Sequence, residues 1–149
     1  MSDETPVLPK LNGPTLEPLG GRTPKQLVVL CHGVGSDGDD LLGLAPYFQK
    51  VLPEARFVSP HAPFQFDGGP IGYQWFSLRD FGHDARAEGV RTAAPILNAY
   101  IDEQLAYLGL SDKDLALIGF SQGTMMALHV GLRRPKACAG ILGYSGMLV

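Results

Sequence analysis

The pentapeptide Gly-Phe-Ser-Gln-Gly at residues 119–123 is the feature that most constrains this chain, because it separates two segments of different periodicity. The apolar run at 115–118 is long enough for a buried strand and too short for a buried helix. From Thr124 the apolar residues follow helical spacing until Pro135. A side chain at either flanking glycine would crowd a turn that holds Ser121 in a strained conformation. The pattern therefore predicts strand, sharp turn and helix, with Ser121 projecting from the top of a sheet.

A serine in this position is typical of a nucleophile for acyl transfer. The N–H of Gln122, at a helix N-terminus, would then stabilise a developing oxyanion. Glycine and serine are common in loops, so an ordinary strand-to-helix connection remains the alternative. A second element favours the catalytic interpretation, because the strand-like run at 27–31 leads into a glycine-rich loop at 32–38. Glycines after a central strand allow backbone N–H groups to approach a substrate, as a second oxyanion donor requires.

Four segments, in order and spacing, carry a resemblance to a known family. They are LCHGVGSDG at 30–38, SPHAP at 59–63, QWF at 74–76 and GFSQG at 119–123. Together they resemble the bacterial phospholipase/carboxylesterase and acyl-protein thioesterase group of α/β-hydrolases, from about Gln26 onward. The resemblance implies hydrolysis of small-molecule or lipid esters and thioesters, without a metal or organic cofactor.

The resemblance also implies roles for individual residues. By position, Ser121 would be the nucleophile, and the backbone N–H groups of Val34 and Gln122 would form the oxyanion hole. Trp75 and Phe76 would lie along the pocket for the acyl or alcohol group. For this aromatic pair, simple packing in the core is the alternative.

The segment after the nucleophile departs from the family pattern. In this fold the acid and then the histidine of the triad follow the serine. After Ser121 this sequence contains no Asp or Glu and a single histidine, His129. Eight helical residues place His129 roughly 12 Å from the turn, pointing away from the site, so it is not the base. We expect part of a longer hydrolase with an incomplete triad, or alternatively a non-catalytic binding module or a half-protein that needs a complementing C-terminal segment.

The upstream histidines offer few substitutes for that base. His32, beside the oxyanion loop, suits a structural imidazole bonded to backbone, and His61 between prolines is also interpreted as structural. His83 and Asp84 bring an imidazole and an acid together, as a rearranged triad would require. The favoured alternative is a solvated loop in which Asp84 begins the next helix.

Composition indicates a globular protein with one core. Of 149 residues, 45% are hydrophobic and 18% charged, and the length suffices for one core but not two. A net charge of −3 without a Lys/Arg cluster argues against nucleic acid as a partner. The acidic N-terminus does not resemble a signal peptide, and no segment is suited to spanning a membrane, so we expect a cytoplasmic protein. Cys31 and Cys138 fall on predicted buried strands, which favours reduced packing cysteines.

The remaining elements alternate along the chain. Residues 1–24 are predicted to be an extended lead-in, with a short edge strand near 11–16, and residues 25–149 the N-terminal portion of a single α/β-hydrolase domain. Pro46 and Pro95 should interrupt or bend the helices that contain them. We predict strands at 27–31, 55–59, 115–118 and 139–144, helices at 39–51, at 86–108 and from 124, and a long loop at 60–82.

This alternation predicts a mostly parallel sheet flanked by helices on both faces, truncated after the strand that follows the nucleophile helix. The resemblance orders the strands with 55–59 outermost, then 27–31, 115–118 and 139–144. The last strand would be an apolar edge, which is a template for pairing with another chain. We therefore predict aggregation, a homodimer through this strand, or docking of a separate C-terminal piece.

Overall fold

The computed structural model describes residues 7–80 and 82–149, which form a five-stranded sheet with helices on both faces. The strands are β1 (Thr15–Leu16), β2 (Gln26–Cys31), β3 (Ala55–Val58), β4 (Phe64–Gln65), β5 (Tyr73–Gln74), β6 (Leu115–Phe120) and β7 (Gly140–Tyr144). The order in the sheet is β1-β3-β2-β6-β7, and only the β1–β3 pair is antiparallel. A separate antiparallel pair joins β4 and β5. The helices are α1 (Gly38–Leu42), α2 (Ala45–Gln49), α3 (His83–Leu108) and α4 (Gln122–Arg133).

The continuous apolar sequence of β2 follows from its position in the middle of this sheet. Alternate side chains point to opposite faces of a strand. Leu27 and Val29 accordingly pack with α3 and α4, whereas Val28 and Leu30 pack with α1, α2 and β3. Both faces are covered, so every second residue cannot be polar as it would be in a half-exposed strand. The predicted α/β architecture, a mostly parallel sheet flanked by helices, is confirmed.

The predicted order of the four parallel strands is confirmed, with β3 outermost among them. The short edge strand predicted near 11–16 is present as β1 at Thr15–Leu16, which pairs antiparallel along the free side of β3. The lead-in continues this pairing, since the Ser59 N–H donates to Pro14 O (3.0 Å) and the His61 N–H to Asn12 O (2.8 Å). The lead-in therefore satisfies backbone groups that an exposed edge would leave unpaired.

Proline positions explain how the predicted helices differ from the observed ones. The segment expected as one helix at 39–51 is divided into α1 and α2, and Pro46 lies in the first turn of α2, where its missing N–H costs little. Asp37 caps α1 by accepting from the Asp40 N–H (2.9 Å). Pro95 instead lies inside the 26-residue α3. This helix begins at His83, three residues earlier than predicted, with Asp84 in its first turn.

Two predictions about irregular segments need correction. The long loop predicted at 60–82 contains the β4–β5 hairpin, whose two-residue strands are too short to produce a periodic pattern. Cys138 lies before β7 and is half-buried, whereas Cys31 is fully buried on β2. Both cysteines are free.

Arg134 ties α4 to the opposite end of the sheet from the elbow. Its side chain is 5% exposed and donates to three acceptors: the Asp112 carboxylate, Asn98 Oδ1 (3.0 Å) and Asp102 Oδ1 (2.6 Å). Asp112 is itself largely buried, whereas Asp102 is two-thirds exposed. The network joins α4 to α3 and to the 3-10 turn Asp112–Asp114 that leads into β6.

Strand β7 is the last strand in the order of the described sheet. Leu142 and Tyr144 are 46% and 48% exposed, although every residue of β7 pairs with β6. The predicted apolar edge is thus present, and its pairing with another chain stays a prediction. Among the described residues, no helix is long and apolar enough to cross a membrane.

Candidate active site

The turn between β6 and α4 holds Ser121 in an unusual backbone conformation. Its φ of 53° and ψ of −118° lie outside the regions that a residue with a Cβ adopts readily. The Ser121 N–H donates to Tyr144 O (2.9 Å), and the Ser121 carbonyl accepts from the Thr124 N–H (3.0 Å). Its hydroxyl has no hydrogen-bond partner within residues 7–80 and 82–149. The turn therefore presents a free hydroxyl at the carboxyl end of a central strand.

The two flanking glycines are required by close backbone contacts. A Cβ on Gly119 would lie 2.6 Å from Gly123 O, because the chain folds back on itself in the turn. A Cβ on Gly123 would lie 1.9 Å from Cys31 O and 2.6 Å from His32 O. The first turn of α4 thus rests directly on the end of β2, and the predicted crowding at both glycines is confirmed.

The hydroxyl of Thr124 adds a second attachment between the elbow and β7. It donates to Tyr144 O (2.7 Å) and accepts from the Tyr144 N–H (3.0 Å). Since the Ser121 N–H donates to the same carbonyl, Tyr144 fixes both the turn and the first helical turn that follows.

The glycine-rich loop after β2 passes beside this turn. A Cβ on Gly33 would lie 3.4 Å from the Cβ of Ser121. Residues 33–36 form a tight turn in which the Ser36 N–H donates to Gly33 O (3.2 Å) and Gly35 has a φ of +81°. The loop containing Val34 and the start of α4 containing Gln122 are therefore neighbours.

Val34 and Gln122 both have backbone N–H groups without an acceptor among the residues that the structure describes. Gln122 is the first residue of α4, and the first N–H groups of a helix have no partner within it. The helix dipole adds positive potential at the same place. Two unbonded donors on adjacent segments next to Ser121 are suited to binding an anionic oxygen.

The side chain of Gln122 makes contacts that the sequence did not predict. It is 1% exposed, and its carboxamide bridges the backbone of Trp75 and Phe76. The Trp75 N–H donates to Oε1 (2.8 Å), and Nε2 donates to Phe76 O (2.8 Å). A glutamine beside the predicted nucleophile was visible in the sequence, but its partners are 46 and 47 residues away, and no periodic pattern encodes that distance.

Trp75 and Phe76 lie beside the site, but their side chains point into the core. Trp75 is fully buried, and its indole N–H donates to His32 O (2.9 Å). The Phe76 ring packs on α3, where a Cβ on Gly89 would lie 2.6 Å from it. An open groove between Phe64 and α3 borders both aromatic residues. Their assignment to a substrate pocket stays a prediction.

His32 is held as a neutral structural imidazole. Its Nε2 accepts from the Ala62 N–H (2.9 Å), so its Nδ1 carries the proton and donates to Gly33 O (2.7 Å). Burial lowers the pKa of His32, because the charged form would lose its hydration. Both nitrogens are occupied by backbone, and neither is available to take a proton from Ser121.

The other histidines are also bonded away from the serine. His61 Nδ1 accepts from the Gly38 N–H (3.1 Å), and His129 Nδ1 lies 3.3 Å from Val149 O. His83 is largely exposed at the start of α3, 3.9 Å from the Asp84 carboxylate, while Phe81 of the same segment lies outside the described residues. None of these imidazoles is hydrogen-bonded to Ser121 in the described part of the chain.

Most of the chain matches a known protein family. The sequence model of the phospholipase/carboxylesterase family matches residues 19–149. Acyl-protein thioesterase 1 of Kluyveromyces lactis is 32% identical over 130 residues, which cover 82% of this chain and 57% of that protein. Esterase YpfH of Escherichia coli is 30% identical over 122 residues, which cover 82% of this chain and 52% of the relative.

A solved structure agrees with these sequence matches. The crystal structure of esterase PE8 superposes with a TM-score of 0.88 and 44% identity, covering 94% of this chain and 66% of that one. The chain thus spans from about half to about two-thirds of the length of the proteins it matches.

Proposed function

This chain belongs to the phospholipase/carboxylesterase family, and on that premise we propose that it is the nucleophile-bearing portion of a serine hydrolase for carboxylic esters or thioesters. One observation carries the proposal: a serine at positive φ with an unbonded hydroxyl lies beside two unbonded backbone N–H groups. A strained serine between a strand and a helix is the arrangement that α/β-hydrolases use for nucleophilic attack.

In the proposed reaction, Ser121 Oγ attacks the carbonyl carbon of the ester or thioester. The electron pair of the carbonyl bond moves to its oxygen, which accepts hydrogen bonds from the N–H groups of Val34 and Gln122. The intermediate collapses, the alcohol or thiol leaves with a proton, and an acyl-serine remains. Water then attacks the acyl carbon, the ester bond to Oγ breaks, and the carboxylic acid leaves while Oγ regains a proton, so neither a metal nor an organic cofactor takes part.

The proton of Ser121 needs a base during the attack. No imidazole in the described ranges bonds to the hydroxyl, and the relatives are longer than this chain. We propose that an acid and a histidine from a further segment complete the triad, in the order that this fold uses. Without them the expected rate is about four to six orders of magnitude lower, leaving only oxyanion stabilisation and binding.

The proposed substrate has an apolar acyl or alcohol group. The groove beside Trp75 and Phe76 is also lined by Phe64, Ala85 and Gly89 and by a few polar residues. It borders the two residues whose backbone bonds the side chain of Gln122, the residue after Ser121. An apolar groove in this position favours a hydrocarbon chain over a charged group.

A fluorophosphonate probe tests this proposal, because it phosphonylates a serine only when the hydroxyl is activated. The chain should be labelled at position 121 in the presence of the part of esterase PE8 that this chain does not match, about a third of that protein. Labelling should disappear in Ser121→Ala, which keeps the backbone of the turn. A folded chain that stays unlabelled both alone and with this segment would contradict the proposal.

Within the described ranges no imidazole bonds Ser121, which favours a second candidate, a non-catalytic module that binds an acyl ligand in the same groove. The two functions differ in what Ser121→Ala changes. If the chain is a binding module, Ser121→Ala retains the affinity for a fatty-acid amide, and the wild-type chain hydrolyses no p-nitrophenyl ester even with the PE8 segment added. If it is a hydrolase, the complemented wild type turns over the ester and Ser121→Ala does not.

A further inference from the structure

The two candidate oxyanion donors are attached to the same short segment, residues 72–76. On one side, the Gly35 N–H donates to Tyr73 O (2.8 Å), and the Tyr73 N–H donates to Ser36 O (2.8 Å). These bonds lie directly after Val34 in the chain. On the other side, the carboxamide of Gln122 bonds the backbone of Trp75 and Phe76. Residues 72–76 therefore connect the loop after β2 with the start of α4.

Burial and close packing make this connection stiff. The carboxamide of Gln122 is removed from water, and both of its ends are bonded. At the other end of the segment, a Cβ on Gly72 would lie 2.2 Å from Gly35 O, and Gly72 has a φ of +94°. Only glycine lets the hairpin approach the loop this closely. The indole of Trp75 adds a third anchor through His32 O.

We propose that Gln122 is a positioning residue whose side chain, acting through residues 72–76, sets the separation and orientation of the Val34 and Gln122 N–H groups. The inference rests on the proposed function, in which these two groups bind the oxyanion. Two donors on different segments stabilise an oxyanion only when both are held near their bonding distance. The carboxamide supplies that restraint because it belongs to the same residue as one donor and bonds Trp75 and Phe76, in the segment whose Tyr73 bonds the residue after Val34.

Two variants of Gln122 separate this role from general packing. Gln122→Met keeps the length of the side chain and removes both hydrogen bonds. Gln122→Glu keeps one donor and one acceptor while the carboxyl is protonated, but it has only acceptors when ionised and then repels Phe76 O. Burial disfavours the ionised form, so Gln122→Glu should behave like the wild type in acid and like Gln122→Met as pH rises.

The first measurement is backbone amide exchange, followed residue by residue. We expect Gln122→Met to lose protection at Trp75, and also at Gly35 and Tyr73, whose bonds the substitution does not touch. Gln122→Glu should regain protection at all three amides in acid. The matched control is Thr124→Val, which removes a hydroxyl from the same helical turn. That hydroxyl bonds to Tyr144 on β7 and not to residues 72–76, so the variant should leave these amides protected.

The second measurement is the phosphonylation of Ser121 by the fluorophosphonate probe in the chain complemented with the PE8 segment. A donor displaced by about 1 Å costs about 100-fold, so Gln122→Met should slow the maximal labelling rate by that factor. The probe concentration at half-saturation should change little, since the oxyanion contacts strengthen only in the transition state. Gln122→Glu should show an added pH step in this rate that the wild type lacks.

The inference is overturned if Gln122→Met leaves the protection of the Gly35 and Tyr73 amides unchanged. It is also overturned if protection falls equally at every amide of the chain, since that indicates general destabilisation. If Gln122→Met does not fold, Gln122→Glu provides the same comparison between its protonated form in acid and its ionised form at higher pH, where the three amides should lose protection. A wild-type chain that is never labelled contradicts the proposed function, and the amide exchange still decides whether Gln122 couples the two segments.

Discussion

Replacing Ser121 by glycine should stabilise the chain while removing the proposed nucleophile. A residue with a Cβ at the φ and ψ of Ser121 carries strain of about 1–3 kcal/mol. Glycine relieves that strain but gives the unfolded chain more freedom, at a cost of about 0.4–1 kcal/mol. The hydroxyl has no partner among residues 7–80 and 82–149, so its loss adds nothing. We expect Ser121→Gly to gain about 1 kcal/mol, which raises Tm by about 2–4 °C at this length.

Ser121→Ala is the matched control, because it removes the hydroxyl and retains the Cβ. Its stability should stay within about 0.5 kcal/mol of the wild type. Urea and thermal unfolding can be followed by the fluorescence of Trp75, the single tryptophan of the chain, which is fully buried. Both variants lack the nucleophile, so any difference between them reports the backbone alone. If Ser121→Gly is no more stable than Ser121→Ala, the turn is not strained and the reasoning is refuted.

Three further predictions concern packing, buried charge and pH. Gly123→Ala should destabilise by about 3 kcal/mol in urea unfolding because its Cβ would meet the backbone of β2, whereas Gly140→Ala, with no atom within 4 Å, should be neutral. In the same assay, Arg134→Met should cost about 3 kcal/mol because it leaves the largely buried Asp112 carboxylate unpaired. Asp102→Asn, which removes the exposed partner of Arg134, should cost less than about 1 kcal/mol. Burial lowers the pKa of His32 in the folded state, so the unfolded state binds more protons below pH 6.5. Stability should therefore fall as pH drops below 6.5, and less steeply in His32→Asn; equal slopes would contradict this.

Elements with a strong local signal were predictable from the sequence. Strand β6, the glycine-flanked turn and α4 follow one another within 20 residues, and each is specified by its own periodicity or by a steric need for glycine. The same holds for α3, whose apolar spacing persists through Pro95 because one proline does not outweigh the packing of a 26-residue helix. The order of the four parallel strands followed from the resemblance and the rules for parallel sheets.

Features that depend on a distant partner were not predictable in this way. The two-residue strands β4 and β5 exist because each pairs with the other, and so few residues cannot show an alternating pattern. The carboxamide bonds of Gln122 likewise depend on where the fold brings Trp75. For Trp75 and Phe76, the sequence left core packing and pocket lining open. The structure places both side chains in the core, with a groove along their border.

Tyr144 connects the edge strand of the sheet directly to the turn that holds Ser121. Its carbonyl receives hydrogen bonds from the Ser121 N–H and the Thr124 hydroxyl, while its side chain faces outward on β7. A chain that adds to the outer side of β7 and changes the twist of that strand would therefore shift the acceptor that holds the elbow. The same carbonyl would then couple assembly at this edge to the reactivity of Ser121. The labelling rate of the serine would therefore change when another chain pairs with β7.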